Sequence, residues 1–157
     1  MDKTVYQTIP QDQIRAISGL EFLQRIIRGD LPEAPFLKLV GARMVFAEEG
    51  KVVVETTPST KHYNPLNVAH GGFATTVLDT AMGCAVQTTC GAGTASTTLE
   101  LKINLVRAIT ANVGKLRAEG QVIHRGKTTA TAEGRLVDSG GKLLAHANCT
   151  CLVVEVR

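Results

Sequence analysis

The sequence predicts an α+β fold in which a curved antiparallel sheet of about six strands wraps one apolar helix, and three observations carry that prediction. First, residues 73 to 87 place Phe73, Ala74, Val77, Leu78, Ala81, Met82, Ala85 and Val86 in paired positions four apart, a stripe broad enough to bury most of a helix. Second, four strand-like runs follow at roughly 95–107, 112–125, 127–138 and 142–156, separated by Ala111-Asn112, Gly126 and Ser139-Gly140-Gly141. Connectors that short make neighbouring strands antiparallel. Third, one amphipathic helix and a pair of strands precede the apolar run, so the order is helix, two strands, central helix and a meander of long strands.

Taken from the N-terminus, residues 12 to 28 are expected to form a helix. Asp12 can cap it, Ile14, Ile17, Leu20, Leu23, Ile26 and Ile27 recur near the helical period, and Gly29, Asp30 and Pro32 end it. The β-branched content then rises from Phe36 to Phe46 and from Lys51 to Thr57 around Glu48-Glu49-Gly50, the pattern of two strands joined by a hairpin. His62 to Ala69 reads as a loop, because Pro65 biases Asn64 away from helix and Asn side chains bond locally in turns. It runs directly into Gly71-Gly72 and the apolar helix. At 157 residues the chain fits one domain, with an N-terminal extension over 1–35 and a core over 36–157.

Composition narrows the function classes. Hydrophobic residues make up 44% and charged ones 20%, ordinary for a soluble globular chain, and no tract approaches the roughly 18 apolar residues that cross a bilayer. Met1 to Gln13 is polar and broken by Pro10, unlike a secretory signal, so a cytoplasmic location and no membrane partner are expected. The cysteines at 84, 90, 149 and 151 form no Cys-x-x-Cys pair, and Cys149 and Cys151 share one strand face, as reduced structural thiols do. No metal site is expected from them. The net charge of +3 is uneven: Lys and Arg against Asp and Glu give 8 to 9 over residues 1–80 and 9 to 5 over 81–157. Lys102, Arg107, Arg125 and Lys127 are too sparse, and too poor in neighbouring aromatics, for a nucleic-acid face. They suit the phosphates of a small anionic ligand.

Asp79 is the only charged residue between Lys61 and Glu100. A solvated acid on an outer helix face is its plain reading. Yet its neighbours on that face, Thr75, Thr76, Thr80 and Gly83, are small and uncharged, without the Lys and Glu that exposed helices carry. Such a face suits close contact with another surface, and an acid set there can act as a base. Gly71 and Gly72 permit a tight helix entry, and they also offer backbone N–H groups at the positive helix end to a developing oxyanion. His70 supports the turn at the edge of the binding region. Asn64 either shapes the loop or orients a water or a carbonyl. Thr98, or Thr97 beside it, is by default a strand residue.

One distance decides the architecture of any joint site. On one continuous helix, Gly71 and Asp79 lie eight residues apart, about 12 Å at 1.5 Å each. A donor and a base serve one reacting group only from about 3 Å. If both act, Gly71 of one subunit must face Asp79 of another, which implies a two-fold homodimer with two composite sites.

The stretch Asn64-x-x-Asn67-x-x-His70-Gly71-Gly72 followed by Asp79-Thr80-Ala81 resembles the signature of the hotdog-fold acyl-CoA thioesterases, in the phenylacetate-pathway-like branch. Thr98-x-Glu100-Leu101-x-Ile103-Asn104-Leu105-x-Arg107 resembles the family's third strand, and Arg125-Gly126-Lys127-Thr128 its strand-turn-strand, so that the likeness spans about 36–156. The resemblance implies a nucleophile or general base at Asp79, an oxyanion donor at Gly71, a positioning amide at Asn64 and a hydroxyl near the acid at Thr98. It implies substrate contacts at His70, Gly72, Thr97, Arg125 and Lys127, no cofactor beyond the coenzyme A of the substrate, and a dimer or a dimer of dimers. Two departures stand out: Asn67 where many members have Gly, and Ala108 after Arg107 where Pro is frequent. The acyl group is expected in an apolar pocket lined by the central helix and, in part, by the N-terminal one. Two rival functions remain at this stage. A hotdog hydratase or dehydratase would consume an enoyl thioester without releasing thiol, although here His70 comes four residues after Leu66 and not directly. A non-catalytic acyl-CoA-binding protein would hold the ester intact.

Overall fold

The structure is a computed structural model that describes residues 7–156, so the first six residues of the polar N-terminal stretch lie outside the described residues. Its elements are α1 (Gln11–Arg15), α2 (Gly19–Arg28), α3 (Pro35–Val40), β1 (Ala42–Glu48), β2 (Lys51–Thr56), α4 (Gly71–Gln87), β3 (Thr94–Leu105), β4 (Leu116–Arg125), β5 (Thr129–Asp138) and β6 (Leu143–Glu155). The six strands form one antiparallel sheet in the order β1-β2-β4-β5-β6-β3. α4 packs against every strand of it. This is the wrapped arrangement that the sequence predicts.

The burial pattern explains the wrapping. All eight apolar residues of α4 named above are buried, and they meet Val52, Val54, Leu116, Ala118, Ala132, Leu136, Ala145, Cys149 and Cys151 from the concave face of the sheet. Close approach depends on Gly120 and Gly134, which pair across β4 and β5. A Cβ on Gly120 would lie 2.2 Å from the Ala81 carbonyl oxygen, and one on Gly134 would lie 2.9 Å from Met82 Cγ. Together they leave a trough in which the helix backbone sits.

Four expectations need correction. The last four strands are not a simple meander: β3 lies at the sheet edge beside β6, whereas β4 pairs with β2 and β5, so the connection over 106–115 crosses the sheet instead of joining neighbours. The other three lie in the connecting regions. The helix over 12–28 is two helices, because Ser18 is extended (φ −67°, ψ 156°) and its hydroxyl accepts the Glu21 N–H at 3.3 Å to begin α2. Ser18-x-x-Glu21 is a helix-start signal inside the apolar period, and it overrides continuity. Asp12 falls within α1, whose flanking residue is Pro10. The strand expected over 36–46 starts only at Ala42: Pro35 opens the short helix α3, and Gly41 (φ 65°) closes it in the left-handed region. Six residues are too few for a helical period to show against β-branched content. Finally, β4 begins at Leu116 and not at 112, since Ala111–Val113 forms a 3-10 turn.

Candidate active site

Asp79 sits on the side of α4 that the sheet leaves open, with Thr76, Thr80, Gly83 and Cys84 half-buried around it. The partner that reaches it is Thr98 on β3. Opposite β6, β3 changes register between Thr98 and Glu100, so Leu99 is an extra residue that bulges the strand. Thr98 stands opposite buried Cys151 and turns toward α4, whereas Thr97 is exposed. Thr98 Oγ1 donates to Asp79 Oδ1 at 2.9 Å. The other carboxylate oxygen has no protein donor among the described residues, which leaves it free to take a proton or attack a carbonyl.

The glycine pair sits at the other end of the same helix. His70 precedes α4, and its Nδ1 accepts the Gly72 N–H at 2.9 Å. That bond engages Nδ1 as an acceptor, and it removes Gly72 as a donor to a ligand. The Gly71 N–H has no acceptor among the described residues. A side chain at Gly71 would place its Cβ 2.8 Å from Leu105 Cδ1, so the glycine also lets β3 close over the helix start. Asn64 Oδ1 accepts the Leu66 N–H at 2.9 Å and the Val68 N–H at 3.5 Å, an Asx turn that uses its carbonyl and leaves its NH2 free. Asn67 adopts φ 61°, the left-handed conformation open to Gly and tolerated by Asn, which accounts for its departure from the family's pattern. Asn64, His70 and Gly71 line a cleft of about 240 Å³ with Leu105, Arg107 and Ile109. Arg107, one of the four cations read as suited to a ligand's phosphates, thus lines this cleft, although no sequence spacing links it to Asn64 or Gly71. Below the loop, the His62 ring stacks on Phe73 at 4.3 Å, and burial lowers its pKa from the ordinary histidine value.

Within one chain these groups divide into separate clusters. α4 is unbroken from Gly71 to Gln87, so Gly71 and Asp79 are about 12 Å apart, as expected. Arg125 and Lys127 fall in a third place, the β4–β5 turn. The Arg125 guanidinium folds back to donate to the Gly126 carbonyl, and to that of Lys127 at 3.4 Å, while Lys127 is exposed. Arg125 lies opposite Ala130, Ala130 opposite Cys151, and Cys151 opposite Thr98, so it stands three strands, about 14 Å, from Thr98.

A pocket of about 350 Å³ lies between the N-terminal segment and the part of α4 that begins one residue after Asp79. Thr80 and Cys84 form its α4 side, and Phe22, Ile26, Phe36 and Met44 are among its other walls. Burial first, and then the charges of Asp79 and Cys151, push the Cys84 thiol pKa up to about 12, which disfavours its thiolate. All four cysteines are unpaired. Among the described residues, no helix is long and apolar enough to cross a membrane.

A six-stranded antiparallel sheet closed around one helix in this order defines the hotdog class, here with an acid and a hydroxyl paired on the open helix face. The chain belongs to the thioesterase superfamily, whose model matches residues 66–145, just over half of its 157 residues. Among curated proteins it is similar to the 1,4-dihydroxy-2-naphthoyl-CoA hydrolase of Listeria monocytogenes, with 27% identity over 75% of this chain and 94% of that one. Among solved structures it is similar to a putative thioesterase, a phenylacetic acid degradation-related protein of Ralstonia eutropha, with a TM-score of 0.76 and 26% identity over 83% of this chain and 98% of the other. A Streptococcus mutans protein bound to acetyl CoA gives a TM-score of 0.66 and 29% identity over 74% and 90% of the two chains.

Proposed function

We propose that this protein is an acyl-CoA thioesterase of the phenylacetate-pathway-like branch, hydrolysing an acyl- or aryl-CoA to the free acid and CoA. The observation that carries the reading is the Thr98–Asp79 hydrogen bond, which fixes the single carboxylate of α4 on an open face with one oxygen unengaged. Two subunits meet so that Asp79 of one faces Gly71 of the other. Support for that meeting comes from β3, which among the described residues pairs only with β6 and presents an open edge with Leu99 and Leu105 exposed.

Asp79 takes a proton from water, whose oxygen bonds to the thioester carbon, and the carbonyl electron pair moves onto oxygen facing the partner's Gly71 N–H. Collapse of that oxyanion expels the CoA thiolate, which recovers the proton. In the alternative route Asp79 itself attacks, the thiolate leaves, and water opens the resulting mixed anhydride. An acid, a hydroxyl and an amide suffice, so CoA enters only as part of the substrate. Asn64 orients the carbonyl or the water with its free NH2. The pantetheine arm carries the phosphates away from the acid toward cations such as Arg125 and Lys127. We place the reaction in the cytoplasm, in keeping with the unpaired thiols, and in a dimer or a dimer of dimers.

Replacing Asp79 by Asn tests the reading, with free thiol release followed across a panel of acyl-CoA esters. The expected loss in kcat is about 10² to 10⁴ with the fold intact. Near wild-type release by the variant refutes the assignment, and loss of enoyl absorbance without thiol release by the parent points to a hydratase instead.

A further inference from the structure

We propose that the pocket between α4 and the N-terminal helices receives the acyl group and selects for an uncharged, hydrophobic one. This rests on the hydrolase reading for the position of the reacting carbonyl, and it adds the substrate class. Thr80 follows Asp79 directly and Cys84 lies one turn beyond Thr80, so the pocket's α4 wall starts one residue from the acid, about 100° around the helix from it. Its volume of about 350 Å³ suits a small-molecule site. Phe22, Ile26, Phe36 and Met44 offer an acyl chain apolar contact, and the lining includes Glu33 but no Lys, Arg or His. An ω-carboxylate on the acyl chain would meet that acid with no counter-charge and would lose its hydration, a strongly unfavourable placement. Thioesters of dicarboxylic acids long enough to bring that carboxylate into the pocket are therefore disfavoured.

The same residues account for how a shared chemistry gains its own selectivity. Gly71, Asp79 and Thr98 fall inside the stretch matched by the superfamily model, 66–145. Every pocket-lining residue other than Thr80 and Cys84 precedes it, between Gln7 and Met44. The catalytic groups thus come from the shared part of the chain, and all the acyl walls but Thr80 and Cys84 from outside it.

The test compares kcat/KM on acetyl-CoA, decanoyl-CoA and the ω-carboxylated decanedioyl-CoA. Each methylene that enters the pocket should raise kcat/KM about fourfold, until the pocket is full. Decanedioyl-CoA should fall at least about tenfold below decanoyl-CoA. Ala34 lines the pocket from an exposed position, so Ala34→Phe should narrow it and lower the decanoyl-to-acetyl ratio about tenfold or more. Should that variant not fold, Phe36→Ala, at a wall residue 56% exposed, should lower the same ratio several-fold. Binding of the non-hydrolysable thioether S-decyl-CoA, measured by calorimetry, should weaken in parallel. That measurement separates the two readings: discrimination in binding without any thiol release leaves the pocket assignment standing and removes the hydrolase. An unchanged ratio and unchanged binding in a folded variant, or decanedioyl-CoA turned over as well as decanoyl-CoA, overturns the pocket assignment.

Discussion

The two sides of α4 are built differently. Toward β3, a 17-residue helix and a 12-residue strand hold Asp79 against Thr98 through regular backbone. Toward the N-terminus, helices of 5, 10 and 6 residues, the first two separated by Ser18 and the last two closed by glycine caps, make the pocket walls. Bond-making needs groups held to a fraction of an ångström, which long, mutually packed elements supply. Accommodating an acyl chain needs only shape and apolarity, which short helices with irregular joints supply as well. Position is demanding on one side of α4, and on the other it is adjustable.

The sharpest way to break this comparison is to remove the Gly71 N–H without disturbing the helix. Pro is favoured at the first helical position, and His70 already has the extended conformation that Pro requires of its predecessor (φ −56°, ψ 139°). Leu105 must shift its flexible end to admit the ring. Gly71→Pro should then lose about 10² to 10³ in kcat with its helical circular dichroism retained. Mixing it with Asp79→Asn subunits gives a second readout. Half of randomly mixed dimers are hybrids, and each hybrid has one intact site of two, so roughly a quarter of wild-type activity should return. No recovery in proven hybrids would mean that each site draws both groups from the same chain.

A smaller effect is expected at Thr98. A hydrogen bond to a charged group contributes about 1.5 to 3 kcal/mol, so Thr98→Val should lower kcat about ten- to a hundredfold while leaving KM nearly unchanged. Thr97→Val, on the exposed side of the strand, is its control. Equal losses in both would detach the hydroxyl from the acid and return Thr98 to the role of a strand former.

How far each side is legible in the sequence follows from the same difference. The stripe from Phe73 to Val86 repeats over several turns, so α4 and its start at the glycine pair are readable from periodicity alone. The four long strands are readable because turn residues punctuate them. The choice between Thr97 and Thr98 was not readable, because a single bulge at Leu99 decides which hydroxyl faces the helix, and a bulge leaves no mark in a run of β-formers. Asp79 was singled out by the absence of other charge around it, whereas its distance from Gly71 followed from helix geometry. On the N-terminal side the pocket residues Phe22, Phe36 and Met44 come from three elements, and no spacing links them. Their convergence is a tertiary fact. The misreading of 36–40 as strand has the same origin, since a six-residue helix is set by its Pro and Gly ends more than by its side-chain pattern.

The smallest predicted effect separates the two sides thermodynamically. Ser18→Ala removes the cap of α2 and should cost about 1 kcal/mol. α2 is tied to the rest through the Gly19 N–H donating to the Cys90 carbonyl at 2.9 Å, and through Gln24 Nε2 donating to the Ala47 carbonyl at 3.3 Å. If the N-terminal segment opens as a local unit, amide exchange should quicken over residues 19–28 while the amides of α4, enclosed by the sheet, keep their protection. In turnover, KM for decanoyl-CoA should rise more than KM for acetyl-CoA, because only the longer chain reaches the loosened walls. Equal loss of protection in α2 and α4 would show one cooperative unit, and the adjustable side would then be as tightly coupled to the acid as β3 is.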